Sequence, residues 1–108
     1  MPKIVCFVTK EHEKQIKELI SQENIYFSKS LDDFCINLYN NCNAILSITK
    51  AGQNWKKIDK IIEKYNETTF YFTEKKDKPM TYGELFIQEH NNVHHPMSPI
   101  SDLLKLLS

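Results

Sequence analysis

The sequence contains no arginine: its fourteen basic residues are all lysines. The planar guanidinium of arginine is the group that most often reads guanine edges and holds phosphates or carboxylates through two parallel hydrogen bonds. Fourteen acidic residues balance the lysines, so the formal net charge is zero. A neutral chain has no overall electrostatic attraction to nucleic acid or to an anionic membrane. These absences argue against direct nucleic-acid binding.

Glycine and long apolar runs are also scarce. Gly52 and Gly83 are the only glycines, so the sequence contains neither of the two common glycine-rich phosphate-binding motifs, the dinucleotide-binding motif and the P-loop. No apolar run approaches the roughly 20 residues of a membrane span, and no signal-peptide pattern follows Met1. We therefore expect a cytoplasmic protein with no membrane partner.

The three cysteines are Cys6, Cys35 and Cys42, with no paired CxxC spacing. An odd number of cysteines without a secretion signal favours reduced thiols in the cytosol. Cys6 lies in an apolar run and Cys35 on an apolar helical face, where cysteine packs as a small hydrophobic residue. No activating base stands near any of the three, so we expect no catalytic thiol.

What the chain does contain is a regular alternation of strand-like and helix-like segments. Its 108 residues, 41% of them hydrophobic, predict one domain over residues 1–108 that folds without disulfides or metal. β-Branched and aromatic runs predict strands over residues 3–8, 25–28, 44–49, 68–73 and, most weakly, 92–95. Apolar residues at helical spacing predict helices over 11–22, from Ser30, over 54–65, and from Thr81 and Ser98.

The second predicted helix shows the pattern most clearly. Ser30 is a capping residue with Asp33 three positions later, and the apolar positions then recur at i, i+3, i+4 and i+7, in Leu31, Phe34, Cys35 and Leu38. Strands that alternate with helices imply parallel crossovers and a doubly wound α/β sheet covered on both faces. Ligands of such sheets bind beyond the carboxyl ends of the strands, here the loops 9–11, 49–53, 73–80 and 94–98.

The end of the chain resembles a known family. Residues 92–99 read Asn-Val-His-His-Pro-Met-Ser-Pro, with Leu103 and Leu104 following, and this resembles the last strand and helix of bacterial response-regulator receiver domains. Residues 30–48 resemble the second helix and third strand of that family, and Thr73 stands where the family keeps Ser or Thr. The resemblance covers nearly the whole chain through general pattern. It implies a five-stranded receiver or flavodoxin-like fold with strand order 2-1-3-4-5.

The residues that perform phosphoryl transfer in that family do not match. Working receivers carry an aspartate acceptor at the end of the third strand and an acidic pair after the first strand that holds Mg²⁺. Here no carboxylate lies between Asp33 and Asp59, so the acceptor position falls at Ser47 or Ile48. The resemblance therefore implies a receiver-like domain that is not phosphorylated in the usual way.

Other positions of this chain also differ from the residues that the receiver family has there. Thr9 and Lys10 follow the first strand, with Glu11 and Glu13 slightly later, and His95 replaces the family's lysine. Asn92 stands where the family often has a switching aromatic residue. The positions that match the family's switch are Thr73, His95 and Pro96.

By resemblance, such domains bind proteins or dimerise in bacterial signal transduction, so the expected partner is a protein, including a second copy of this chain. The family's usual contact surface places Tyr82, His94 and Met97 at the interface, whereas Leu85 and Phe86 are expected in the core. The same resemblance leaves open an output domain after Ser108. It implies no enzymatic activity and no cofactor.

Two kinds of ligand-binding site compete with this interpretation. His90, His94 and His95 lie within six residues, but no third ligand type is fixed near them, so no metal site is expected. A flavodoxin-like small-ligand site or enzyme at the strand ends is the main alternative. It would use residues 9–12, with His12 as an acid–base group.

Nucleic-acid binding was the third alternative. Lys56, Lys60 and Lys64 form a basic stripe near Trp55, but Asp59 and Glu63 interleave with them at i, i+3 spacing. A charged outer helical face explains this pattern without a nucleic acid.

Overall fold

The computed structural model describes residues 3–47, 54–73 and 90–94. Three α-helices lie in these ranges, α1 (Lys10–Leu19), α2 (Leu31–Asn37) and α3 (Trp55–Lys64). The strands are β1 (Ile4–Phe7), β2 (Ile25–Phe27), β3 (Asn43–Leu46), β4 (Thr69–Phe72) and β5 (Val93–His94). The helices predicted from Thr81 and Ser98 lie outside the described residues.

All five strands are parallel, in the order β2-β1-β3-β4-β5. The predicted flavodoxin-like arrangement with order 2-1-3-4-5 is therefore confirmed. Ile4 at the start of β1 pairs with Ile25 of β2 on one side and with Asn43 of β3 on the other. The strand order reverses between β1 and β3, which is where ligands bind in sheets of this type.

The reversal places helices on both faces of the sheet. The chain crosses from β1 to β2 toward one side of the sheet, and from β2 it crosses back over β1 to β3 and on to β4. Because crossovers between parallel strands are right-handed, α1 lies on one face of the sheet and α2 and α3 lie on the other. On the α1 side, Ile16 and Ile20 pack with alternate residues of β1 and with Ile45. On the other side, a larger core joins Phe34 of α2, three isoleucines of α3 and the aromatic residues Phe70 and Phe72 of β4.

The ends of α1 differ slightly from those predicted. The helix begins at Lys10 because Thr9 is its N-cap, with the Thr9 hydroxyl accepting the backbone N–H of His12 at 3.4 Å. It ends at Leu19, since the backbone of Ile20 is extended, and residues 22–24 form a separate 3₁₀ turn. The sequence contains no glycine or proline to mark this end.

The start of α2 confirms Ser30 as its cap, but Asp33 does not complete a capping box. The Ser30 hydroxyl accepts the Asp33 N–H at 3.1 Å. The Asp33 carboxylate instead accepts the Lys29 N–H and the Tyr26 hydroxyl, both at 2.9 Å. These hydrogen bonds, that from Lys29 first, lower the pKa of Asp33. The helix stops at Asn37, so Leu38 is extended rather than helical, although it is buried as predicted.

The apolar stripe predicted on the third helix is confirmed. Ile58, Ile61 and Ile62 of α3 are buried, and Trp55 and Tyr65 pack against the same core. An ion pair between Lys57 of α3 and Asp32 of α2 joins the two helices at the surface.

Asn92 connects β5 to the end of α3. Its side-chain amide lies 3.2, 3.1 and 3.0 Å from the carbonyl oxygens of Ile62, Tyr65 and Thr68, to which it donates. The last turn of a helix leaves carbonyl groups without helical partners, and Asn92 satisfies them. Residue 92 was predicted to open the fifth strand at a switching position. The strand instead begins at Val93, and Asn92 has a structural role.

We expect Asn92→Ala to lower the free energy of unfolding by about 2–3 kcal/mol, because it removes hydrogen bonds worth about 1 kcal/mol each and leaves carbonyl groups unpaired. Urea denaturation followed by circular dichroism measures the change. The exposed neighbour Asn91 gives the control: Asn91→Ala should leave the midpoint nearly unchanged. Equal midpoints for the two variants would contradict the role given to Asn92.

Asp33→Asn tests the network at the start of α2. Because the pKa of Asp33 is lowered in the folded protein from its usual value near 3.8, its ionised form stabilises the fold at pH values above 3.8. That contribution is lost as the pH falls through the lowered folded value. We expect the variant to be less stable than the wild type at neutral pH, and we expect their urea midpoints to converge once the pH lies below the lowered folded pKa of Asp33. A difference that persists in acid, or Glu23→Gln behaving in the same way, would contradict this account.

Candidate functional site at the carboxyl edge of the sheet

The carboxyl ends of β1, β3 and β4 lie side by side and define the candidate site. The Ser47 N–H donates to the Phe7 carbonyl at 2.9 Å, and the Thr73 N–H donates to the Leu46 carbonyl at 3.0 Å. Each residue therefore extends the hydrogen-bonded ladder by one position beyond its strand. Ser47 and Thr73 consequently lie next to each other at the edge where a doubly wound sheet binds ligands.

Both residues are on the α1 side of the sheet. Side chains alternate along a strand, so Ser47 follows Ile45 and Thr73 follows Tyr71, which both pack with the α1-side core. Ser47 has 0% and Thr73 3% of its surface exposed. This edge thus holds two buried hydroxyl side chains on one face of the sheet.

Two buried hydroxyls near this edge lack hydrogen-bond partners among the described residues. One is Oγ1 of Thr73, and the other is Oγ of Ser28. Ser28 follows β2, and its N–H donates to the Cys6 carbonyl at 2.8 Å. A buried polar atom without a partner costs about 1–3 kcal/mol. No sequence pattern identified Ser28, because a serine after a strand is common at turns.

The turn from β1 into α1 has a third hydroxyl. The Thr9 hydroxyl accepts the His12 N–H and lies 3.2 Å from Nδ1 of the His12 ring. A hydroxyl can donate one hydrogen bond and accept two, so the tautomer of the ring decides whether the hydroxyl donates to Nδ1 or accepts from it. The predicted acid–base candidate His12 is therefore held in place by the helix cap.

The acidic side chains near this turn do not form a cation site. Lys10 and Glu11 are exposed on the first turn of α1, and Glu13 pairs with Lys17 at 3.8 Å. Among residues 3–47, 54–73 and 90–94, no group of three or more His, Cys, Asp or Glu side chains could hold a metal ion. The strand ends therefore present Thr9, Ser47 and Thr73 in place of the carboxylates that Mg²⁺ prefers.

The remaining predicted site residues divide into two sets. His94 lies in β5, is exposed, and stacks on the ring of Tyr71 with the ring centres 5.3 Å apart. The predicted switch positions His95 and Pro96 and the predicted interface residues Tyr82 and Met97 lie outside the described residues, as do Leu85 and Phe86.

The histidines considered as metal ligands are separated by the fold. His90 precedes β5 and contacts Asp59 of α3, whereas His94 lies in the strand itself. A turn and a strand connect them, so they do not share one face of a helix. The sequence suggested Lys56 as the partner of Asp59, but Asp59 contacts His90, thirty-one residues away in sequence.

The thiols and the lysine stripe have structural explanations. Burial, together with the nearby Glu13, raises the pKa of the Cys6 thiol, and burial raises that of Cys35. Lys56 and Lys64 lie over the rings of Trp55 and Tyr65 at 5.7 and 5.3 Å. The stripe is thus the outer face of α3, as the sequence indicated.

No protein-family model, curated protein or solved structure that was compared matches this chain. Within the described part of the chain, no helix is both long and apolar enough to cross a membrane.

A matched pair of variants tests the buried hydroxyl of Thr73. Thr73→Val replaces a hydroxyl without a described partner, and we expect it to stabilise the protein by about 1 kcal/mol. The buried Thr68 donates to the Tyr39 carbonyl, so Thr68→Val should destabilise the protein by about 1–2 kcal/mol.

Thermal and urea denaturation of both variants measure these changes. Valine has the shape of threonine and the same preference for strands, so packing is nearly constant in the comparison. Destabilisation by Thr73→Val would mean that its hydroxyl is hydrogen-bonded, and would contradict this description of the site.

Proposed function

We propose that this chain is a receiver-like domain that works without phosphorylation, by binding a protein partner or a second copy of itself in bacterial signal transduction. The observation that most supports the proposal is the chemistry of the carboxyl edge. Thr9, Ser47 and Thr73 follow β1, β3 and β4 in a sheet with the receiver strand order. A receiver without its carboxylates keeps the scaffold but loses the phosphoryl-transfer reaction.

The side chains at this edge explain why phosphorylation is not expected. An acyl phosphate requires a carboxylate, which neither serine nor threonine provides. Ser47 is also fully buried, so its hydroxyl is poorly placed to attack a phosphoryl donor. Lys10 brings a positive charge to the position where a receiver gathers negative charge around Mg²⁺. All three features oppose metal-assisted transfer.

The interaction surface in this proposal includes β5. His94 is exposed and its ring stacks on that of Tyr71, so β5, the last strand in the sheet order, presents a pair of stacked rings. Aromatic and amphipathic side chains are enriched at protein interfaces, because they bury a large area for little loss of conformational entropy. Tyr82 and Met97 are assigned to the same surface by the family resemblance.

The unpartnered hydroxyl of Thr73 favours a second candidate, a flavodoxin-like site for a small polar ligand. Oγ1 of Thr73 is buried at the strand ends without a partner among the described residues, and a ligand that donates or accepts a hydrogen bond would satisfy it. Retention of a stoichiometric small molecule on purification would favour this candidate over the interaction domain.

Sedimentation velocity over a range of concentrations, with and without acetyl phosphate and Mg²⁺, tests the proposal. We expect concentration-dependent self-association that acetyl phosphate does not change, and an unchanged mass by native mass spectrometry. His94→Glu should weaken the association roughly tenfold or more, because it buries a charge at the interface. Lys14→Glu, an exposed change on α1, is the control.

A separate result would contradict each part of the proposal: the independence from phosphorylation, the interaction surface and the self-association. A phosphoryl adduct would show that an acceptor exists and would end the claim of phosphorylation independence. Association that is unaffected by His94→Glu and Tyr82→Glu would show that the surface is wrong. A monomer at every concentration would exclude self-association and leave a different protein as the partner.

A further inference from the structure

A groove opens at the amino edge of the sheet, opposite the carboxyl edge. Its volume is about 390 Å³, and it is lined by the end of α1 and the beginnings of the first three strands: Lys3, Ile4, Leu19, Ile20, Ser21, Asn24 and Asn43. Pockets for small ligands have volumes of roughly 300–1,000 Å³. The groove is therefore large enough for a small organic molecule.

The backbone that frames the groove is held by hydrogen bonds. The Lys3 N–H donates to the Asn24 carbonyl at 3.0 Å, and the Asn43 N–H donates to the Lys3 carbonyl at 2.9 Å. These bonds extend the β2-β1-β3 ladder to the edge of the sheet. The side chains above them are thus presented from a fixed frame, as a binding site requires.

The floor of the groove is apolar. Ile4 and Ile20 are buried, and Leu19 beside them has 49% of its surface exposed, although it is a large hydrophobic residue. A partly exposed leucine next to two buried isoleucines offers apolar surface that a ligand can cover. Covering it would remove this apolar surface from water, which favours binding.

The rim of the groove is polar, with one sign of charge. Among the described residues that line it, Lys3 is the only charged one and none is a carboxylate. The side chains of Lys3, Ser21, Asn24 and Asn43 form no hydrogen bond or ion pair with any described residue. One cation and three hydrogen-bonding side chains around an apolar floor are complementary to an anionic head group with a short hydrocarbon tail.

We propose that this groove binds a short-chain aliphatic carboxylate. The helix end determines the orientation of the ligand. The last carbonyl groups of α1 carry partial negative charge and disfavour an anion near Leu19 and Ile20. The carboxylate therefore lies toward Lys3 and Asn43, and the tail lies over Leu19. This site is separate from the carboxyl edge and does not depend on the proposed protein partner.

Titration with hexanoate, followed by ¹H–¹⁵N correlation spectra of the full chain, tests the proposal. We expect saturable shifts of the backbone amides of Ile4, Ile20, Asn24 and Asn43. Hexylamine and 1-hexanol have the same tail without the negative charge, and they should bind more weakly. Lys3→Gln should weaken hexanoate binding about three- to fivefold, as expected for one partly exposed ion pair. Lys14→Gln lies on α1 outside the groove and serves as the control.

Several outcomes would overturn the proposal. Shifts that do not saturate, or that are equal for hexanoate and 1-hexanol, would show that no anion site exists. Saturable shifts confined to Thr9, Ser47 and Thr73 would place the ligand at the carboxyl edge instead. Nuclear Overhauser contacts between Leu19 and the leucines of residues 103–107 in the ligand-free protein would show that the chain itself fills the groove.

Discussion

The pairing of β1 with β3 is the interaction on which the rest of the structure depends. The four residues of β1 are buried, and Ala44, Ile45 and Leu46 of β3 are fully buried beside them. Their alternate side chains supply both cores, so each strand contributes apolar contacts to α1 on one face and to α2 and α3 on the other. The carboxyl edge and the groove at the amino edge both include ends of these two strands, so this central pair positions them.

The two edges of the sheet satisfy their polar groups differently. At the amino edge, side chains tie neighbouring elements together: Asn92 to the end of α3, Thr68 to the Tyr39 carbonyl, and Asn40 to the Glu67 N–H. At the carboxyl edge, two buried hydroxyls have no described partner. In doubly wound proteins the amino edge usually secures the fold and the carboxyl edge carries the function. The groove at the amino edge is therefore a feature separate from the carboxyl edge.

Sequence periodicity was sufficient for the fold but not for the contacts between distant residues. The alternation of elements predicted a parallel doubly wound sheet, and the family resemblance predicted its order. Leu38 was correctly placed in the core but incorrectly placed in a helix, because apolar spacing reports burial more directly than backbone conformation. Asp59 was assigned a neighbour on its own helix, whereas its contact is with His90. The groove, too, is assembled from separate parts of the chain, so no local pattern marks it.

The strand order has a consequence for how the chain folds during synthesis. The three strands that meet around β1 are complete by Leu46, together with α1 and α2. Each later strand that the structure describes is added to one side of this unit, β4 against β3 and then β5 against β4. Synthesis from the N-terminus therefore delivers each strand when its neighbour is already in place. A parallel sheet requires contacts between residues that are distant in sequence. Here each strand after β1 can pair with a strand that has already been synthesised.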